Sequence, residues 1–329
     1  MNNLCPIALL DLCPITEGSN AATALQNSVE LAQLAERLGY SRFWLAEHHS
    51  MPGIASAATS VVICHVANAT KSIRVGAGGI MLPNHAPLVI AEQFGTLESL
   101  FPGRIDLGLG RAPGSAQNAA RALRKKLDGG DTFLEDLIEL RSYFGPSSRI
   151  PGVRAVPGEN LNIPIWLLGS SDQSAQLAAQ FGLPFAFASH FAPDYVDRAL
   201  QLYRNNFQPS ASLSKPHVMI GVNVFASDSK EEAKFLFSSL EQAFLNLIRV
   251  RPGQLPKPVR DMKTIYAHGE EAAVARMTKF SLIGDESTIN SGLRELHEKY
   301  KPDEIIATAM IYDHAARMRS FEILGKFCN

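Results

Sequence analysis

Cysteine is scarce in this sequence and never clustered. The four cysteines, Cys5, Cys13, Cys64 and Cys328, form no CxxC pair and no regular framework. That argues against a disulfide scaffold and a thiolate zinc site, and makes a reducing, cytoplasmic setting the default expectation. Excess charge is missing as well: 31 Lys+Arg stand against 32 Asp+Glu, a formal net charge of -1. No field of one sign therefore draws the chain to nucleic acid or anionic lipid. The single basic run, Arg124-Lys125-Lys126, reads as a solvated helix face. No segment has the roughly 18 uninterrupted apolar residues of a membrane span. The apolar patch between Met1 and Ile15 lacks a basic start and is broken by Asp11, unlike a signal peptide. Neither an internal repeat nor a Pro/Ser-rich linker divides the chain.

Strand and helix patterns alternate almost throughout. Ile7–Leu10, Phe43–Ala46, Ile73–Ile80, Ile105–Leu109, Ile165–Leu168, Phe185–Ala188, Val218–Phe225 and Ile305–Ala309 read as eight buried strands. Helical spacing runs over Ala21–Leu38, where Leu25, Val29, Ala32, Leu34 and Leu38 share a face and Gly39 is the stop. Further helices are expected over Ala57–Thr70, Pro87–Leu100, Ser115–Phe144 with a break at Gly129-Gly130, Ser171–Phe181, Pro193–Phe207, Lys230–Ile248 and Asp313–Phe327. Arg249–Phe280 reads as an insertion or lid. Eight strands alternating with helices predict one (β/α)8 barrel over residues 1–329. A doubly wound open sheet is the alternative, weakened by the missing G-x-G-x-x-G after the first strand.

In such a fold, polar residues at the carboxyl ends of strands belong to the active face. Glu47-His48-His49 follows the apolar run Phe43-Trp44-Leu45-Ala46. Val75-Gly76-Ala77-Gly78-Gly79-Ile80 ends the third strand, where bare backbone can approach a flat ring closely or form a bulge. In Gly103-Arg104-Ile105-Asp106-Leu107-Gly108-Leu109-Gly110-Arg111, Arg104 precedes its strand and is expected to be structural on the opposite face. Asp106 needs a partner inside the strand. Arg111 follows the strand as a phosphate clamp or a surface ion pair. Gly169-Ser170-Ser171-Asp172-Gln173-Ser174 suits an anion site or plain helix capping. Gly284-Asp285-Glu286-Ser287 is a competing helix start whose two carboxylates disfavour an anion. His190 follows the sixth strand. A rim of His, Arg, hydroxyls and bare backbone, without dense carboxylates, suits an organic phosphate-bearing cofactor better than a metal.

These segments together resemble the bacterial luciferase-like flavin-dependent monooxygenases. The resemblance is strongest over residues 43–114, including Ala91-Glu92-Gln93, and resumes over residues 169–184. It implies a (β/α)8 barrel with insertions. His48 matches the family's catalytic histidine. Gly78-Gly79 match a pair whose peptide bond is commonly cis and supports the isoalloxazine. Arg111, Ser170, Ser171 and Ser174 match positions near the flavin phosphate. His49 and Glu92 match positions near a homodimer interface. Gly110 stands where light-emitting members carry a reactive cysteine beside the flavin, so luminescence is not expected. His190 has no fixed family counterpart and is assigned to the substrate side.

The function so implied is an FMN-dependent monooxygenase. Reduced FMN would come from a separate flavin reductase, and O2 would be used to oxidise a small organic substrate. A deazaflavin-dependent reductase and a non-catalytic flavin-binding protein are the alternatives, and no metal is expected.

Overall fold

The computed structural model describes residues 4–111, 117–123, 131–146 and 148–328. The basic run at 124–126 and the helix break at 129–130 lie outside the described residues. The strands are β1 (Ile7–Asp11), β2 (Arg42–Leu45), β3 (Arg74–Met81), β4 (Ile105–Gly110), β5 (Ile165–Gly169), β6 (Phe185–Phe187), β7 (Val218–Ala226), β8 (Ser281–Gly284) and β9 (Glu304–Thr308). The helices are α1 (Ala21–Leu38), α2 (Thr59–Ala69), α3 (Pro87–Leu100), α4 (Gln117–Ala122), α5 (Phe133–Tyr143), α6 (Asp172–Phe181), α7 (Val196–Asn206), α8 (Lys230–Ile248), α9 (Glu270–Met277), α10 (Glu286–Tyr300) and α11 (His314–Gly325).

Helix limits follow local chemistry. Asn20 accepts from the Thr23 amide at the start of α1, and Gly39, at φ 79°, closes it in the left-handed region. Pro87 opens α3, where its missing N–H costs nothing.

The strands pair in parallel in the order β6-β5-β4-β3-β2-β1-β9-β7, and β6 pairs again with β7 to close an eight-stranded barrel. Successive side chains alternate between lumen and helices. Ala8, Leu10, Trp44, Trp166, Ala186, Met219 and Ile306 fill the lumen, while Leu9, Phe43, Leu45 and Phe185 join the shell under the helices.

One strand departs from the expectation. β8 and α10 follow the expected insertion, so the strand expected at Ile305–Ala309, observed as Glu304–Thr308, is the ninth in chain order, not the eighth. β8 has four residues, three of them only half-buried, and therefore lacks the continuous apolar run of a barrel stave. It pairs with Asn223–Ala226 of β7, beyond Val218–Ile220, which pair with β6 on the other side of a gap. The segment 249–280 contains α9 and is tied to the barrel: Leu255 exchanges backbone hydrogen bonds with Ile15 (2.8 Å) and Glu17 (2.9 Å).

The floor of the lumen is ionic. Asp106 accepts from Arg42 Nη1 (2.7 Å), Arg74 Nη2 (2.6 Å) and Trp44 Nε1 (3.1 Å). Arg42 also reaches Glu304, and its guanidinium lies 4.9 Å from the Trp166 ring centre. Arg104 donates to Ile73 O, Ala67 O and Thr70 on the same face, a structural role as expected.

Candidate active site

The strand ends bring the expected residues to one face. β2 leads to Glu47, His48 and His49; β3 carries Gly78 and Gly79; β4 ends at Gly110 and is followed by Arg111; β5 leads to Ser170, Ser171 and Ser174; and β6 leads to His190.

Glu47 anchors the first group. Its carboxylate is buried and takes the Met81 amide at 2.9 Å, His49 Nε2 at 2.6 Å and His85 Nε2 at 2.9 Å. Burial alone would raise its pKa. The His85 hydrogen bond and charge, the Met81 amide and the His49 hydrogen bond outweigh burial and hold it below the ordinary carboxylate value. The donor atoms of Glu47, His49 and His85 lie within 4.8 Å of one another, a spacing compatible with a cation. As it stands the set is a complete hydrogen-bond network, in which Glu47 is an acceptor for two imidazoles and an amide. His85 and Glu47 escape sequence reasoning as partners because 38 residues separate them.

His48 follows this anchor. Its Nδ1 is buried and has no hydrogen-bond partner among the described residues. Burial lowers its pKa, with Glu47 opposing and His49 assisting the shift. The imidazole is therefore neutral at physiological pH and available as a proton acceptor.

The Gly78-Gly79 peptide bond is cis. A Cβ on Gly78 would approach Leu10 Cδ1 to 2.8 Å and Trp44 to 3.1 Å, and one on Gly79 would approach Gly108 O to 2.7 Å. The register with β4 shifts between Ala77 and Ile80, so the bulge and the bare backbone coincide. Gly110 differs: the nearest atom to an added Cβ is Ile80 O at 3.8 Å. The wall beside Gly110 is open, and a flat ring could lie against it.

The phosphate-side residues have local partners already. Arg111 pairs with Asp131 at 3.2 Å in an exposed ion pair. Ser171 and Ser174 form a reciprocal capping box at the start of α6. Ser170 is half-buried beside them. Asp172 in the first turn is matched by Arg198 at 2.7 Å. Capping thus accounts for the two hydroxyls, while the α6 amino end still offers a favourable dipole to an anion. At the competing helix start, Asp285 takes the Thr288 amide (2.9 Å) and the Ser287 hydroxyl (2.9 Å), which leaves a carboxylate, not an anion hole.

His190 sits in the gap between β6 and β8. Asn223 Nδ2 donates to its carbonyl at 2.8 Å, and Ser189 Oγ donates to Gly221 O at 2.6 Å. Burial lowers the His190 pKa to about 4, with a smaller contribution from repulsion by His48. The two imidazoles are thus electrostatic neighbours.

The luciferase-like monooxygenase family model matches residues 7–300. A luciferase-like monooxygenase of Escherichia coli (strain K12) is 54% identical over 96% of this chain and 95% of its own length. The N-acetyl-S-alkylcysteine monooxygenase of Bacillus subtilis (strain 168) is 33% identical, covering 97% of each chain. The crystal structure of apo-MsnO8 superposes with a TM-score of 0.91 at 31% identity, covering 98% of each chain. With its closed barrel and a rim of histidine, glycine and serine in the expected order, this chain belongs to the luciferase-like monooxygenase family and is an oxidoreductase.

Proposed function

We propose that the chain is an FMN-dependent monooxygenase that receives reduced FMN from a separate reductase and oxidises a small organic substrate with O2. The observation that carries this reading is the rim at the barrel mouth: the side-chain-free backbone of Gly78-Gly79, an open wall at Gly110, and a buried Nδ1 of His48 with no partner among the described residues. These residues fit a flavin. When bound, reduced FMN would supply the electrons that activate O2.

The protein's own part is positioning, dryness and proton management. Gly78, Gly79 and Gly110 give the ring a surface without side chains. Arg111, Ser170, Ser171, Ser174 and the α6 amino end hold the phosphate. The lumen beneath the site is packed with Leu10, Trp44 and Trp166, which keeps water from below. His48, fixed by the Glu47 network and neutral, takes or returns the proton of the reacting centre at an imidazole nitrogen. His190 faces the substrate.

Anaerobic titration with FMN, reduced FMN and a deazaflavin, followed by air and a panel of aldehydes, ketones and thioethers, tests the proposal. Tight binding of reduced FMN with substrate-dependent O2 consumption is expected. Selective deazaflavin binding without O2 uptake would replace the monooxygenase with a reductase. Flavin binding with no substrate-dependent turnover would leave a binding protein.

A further inference from the structure

Glu47, His49 and His85 are the one group of three His, Cys, Asp or Glu side chains, among the described residues, whose donor atoms lie within 4.8 Å of one another. Both imidazoles present Nε2 to the same carboxylate oxygen. His49 stands 2.6 Å and His85 2.9 Å from Glu47 Oε1. The rings therefore converge on one point instead of taking separate partners. The other His–carboxylate contacts described, His217 with Glu304 and His314 with Glu30, bring one imidazole each. Glu47 and His49 stand two residues apart just after β2, the spacing that puts side chains on one side of an extended chain. His48, between them, is not in the set. His85 comes from the turn after β3, 38 residues from Glu47, so no local spacing in the sequence announces the site.

The donor set selects the ion. Two imidazole nitrogens and one carboxylate suit zinc-type divalent ions, and three protein ligands leave a position for water. A single carboxylate does not suit calcium or magnesium, which are held by oxygens. Metal bonds of about 2.0–2.2 Å put tetrahedral ligand atoms about 3.3 Å apart, so the contacts at Oε1 need to open by only about 0.5 Å. The other oxygen of Glu47 accepts from the Met81 amide at 2.9 Å, the kind of outer hydrogen bond that orients a metal-binding carboxylate. The Glu47 side chain is 1% exposed, whereas His49 and His85 are 18% and 27% exposed. An ion would thus find a rigid base and an open side for entry and for a water ligand.

We propose that Glu47, His49 and His85 are the protein ligands of a zinc-type divalent metal site, reversibly occupied, which staples the turn after β2 to the turn after β3. Binding exchanges the two imidazole–carboxylate hydrogen bonds for three metal bonds. Each imidazole offers its Nε2 lone pair and carries its proton on Nδ1, the carboxylate offers an oxygen, and water completes the shell. No electron is transferred, and the site does not depend on the flavin reading.

The test is calorimetric titration of the tag-free, chelator-stripped full chain with Zn2+, Co2+ and Mg2+, with bound metal counted after dialysis. One Zn2+ or Co2+ per chain is expected, with Mg2+ unable to compete. Zn2+ should shift the imidazole 15N resonances of His49 and His85 and raise the melting temperature, as a ligand of the native state does. His49→Ala and His85→Ala should each weaken Zn2+ binding by at least about tenfold and remove the thermal shift. His65→Ala, at an exposed histidine of α2, should bind Zn2+ like the wild type. The wild-type resonances keep the assignment testable if a variant fails to fold. No saturable binding of Zn2+ or Co2+, undiminished affinity in both His49→Ala and His85→Ala, or shifts confined to other histidines would each overturn the proposal.

Discussion

His85 Nε2 lies 2.9 Å from Glu47 Oε1, and this contact pins the turn after β3 to the turn that carries His48. Glu47 is thereby a positioning residue for its neighbour. Glu47→Gln should keep the shape but lose the charge-assisted bonds, costing on the order of 1.5–3 kcal/mol of stability. Turnover should fall more than flavin affinity, because the reacting imidazole is misplaced while the glycine cradle is intact. Chemical denaturation alongside flavin titration would separate the two effects. The sign of its pH dependence is set by a folded pKa below the ordinary 4.5. Its contribution is present above the unfolded pKa and is lost as pH falls through the folded one, so Glu47→Gln should flatten stability only on the strongly acidic side.

His48 gives a second pH signature. The neutral imidazole is the working form, and burial puts its pKa below the ordinary 6.5. Activity should therefore be full above that pKa and decline as pH drops through it, with an acidic limb below 6.5 in kcat/KM. His48→Asn should lower kcat by roughly a hundred- to ten-thousand-fold while flavin still binds. Unchanged turnover in that variant would remove His48 from the mechanism.

His190 affects folding in a different window. Its pKa falls from an ordinary 6.5 to about 4 in the folded state, so the unfolded chain binds the proton more readily. Stability should be full above 6.5 and decline as pH falls from there to about 4. His190→Gln should abolish that part of the slope and leave the Glu47 part. Urea unfolding at stepped pH would measure it.

Much of this site was legible in the sequence because the signals were local. Continuous apolar strands end in polar or glycine residues, and that punctuation placed His48, Gly78, Gly79, Gly110, Arg111, Ser170, Ser171, Ser174 and His190 on one rim. The spans expected for α1, α3 and α8 coincide with the helices observed, and the structure adds Asn20 and Ser229 as side-chain caps to the Gly39 and Pro87 signals. The missing parts are those made by distance. β8 is too short and too exposed to show as a buried strand. His85 reads as a loop residue until the fold brings it to Glu47. Gly221 sits inside the apolar run of β7, and only the His190 ring above it shows why a side chain is absent. Asp106 inside its strand demands a partner, but Arg42, Arg74 and Trp44, which supply it, come from two other strands.

The glycines separate steric from ligand effects. Gly78→Ala must push against Leu10 and Trp44 in a packed lumen and should destabilise the protein by about 1–3 kcal/mol. Gly110→Ala meets nothing closer than 3.8 Å and should leave the melting temperature unchanged. If FMN lies against that wall, Gly110→Ala should still weaken its binding. Thermal melts with and without FMN would show the contrast, and a Gly110→Ala protein with wild-type affinity would move the ring elsewhere.

The phosphate side is read most directly by comparing FMN with riboflavin. Arg111→Ala removes a cation paired, among the described residues, with Asp131 at 3.2 Å on the surface, and an exposed pair contributes at most about 1 kcal/mol to stability. It should therefore melt like the wild type yet lose much of its preference for FMN over riboflavin. Ser171→Ala breaks the capping box of α6 and should cost about 0.5–2 kcal/mol in stability as well. If Arg111 and the α6 amino end together hold the phosphate, the double variant should bind FMN and riboflavin about equally. If the preference survives intact, Ser171 is a cap and nothing more, and the phosphate is held by other groups.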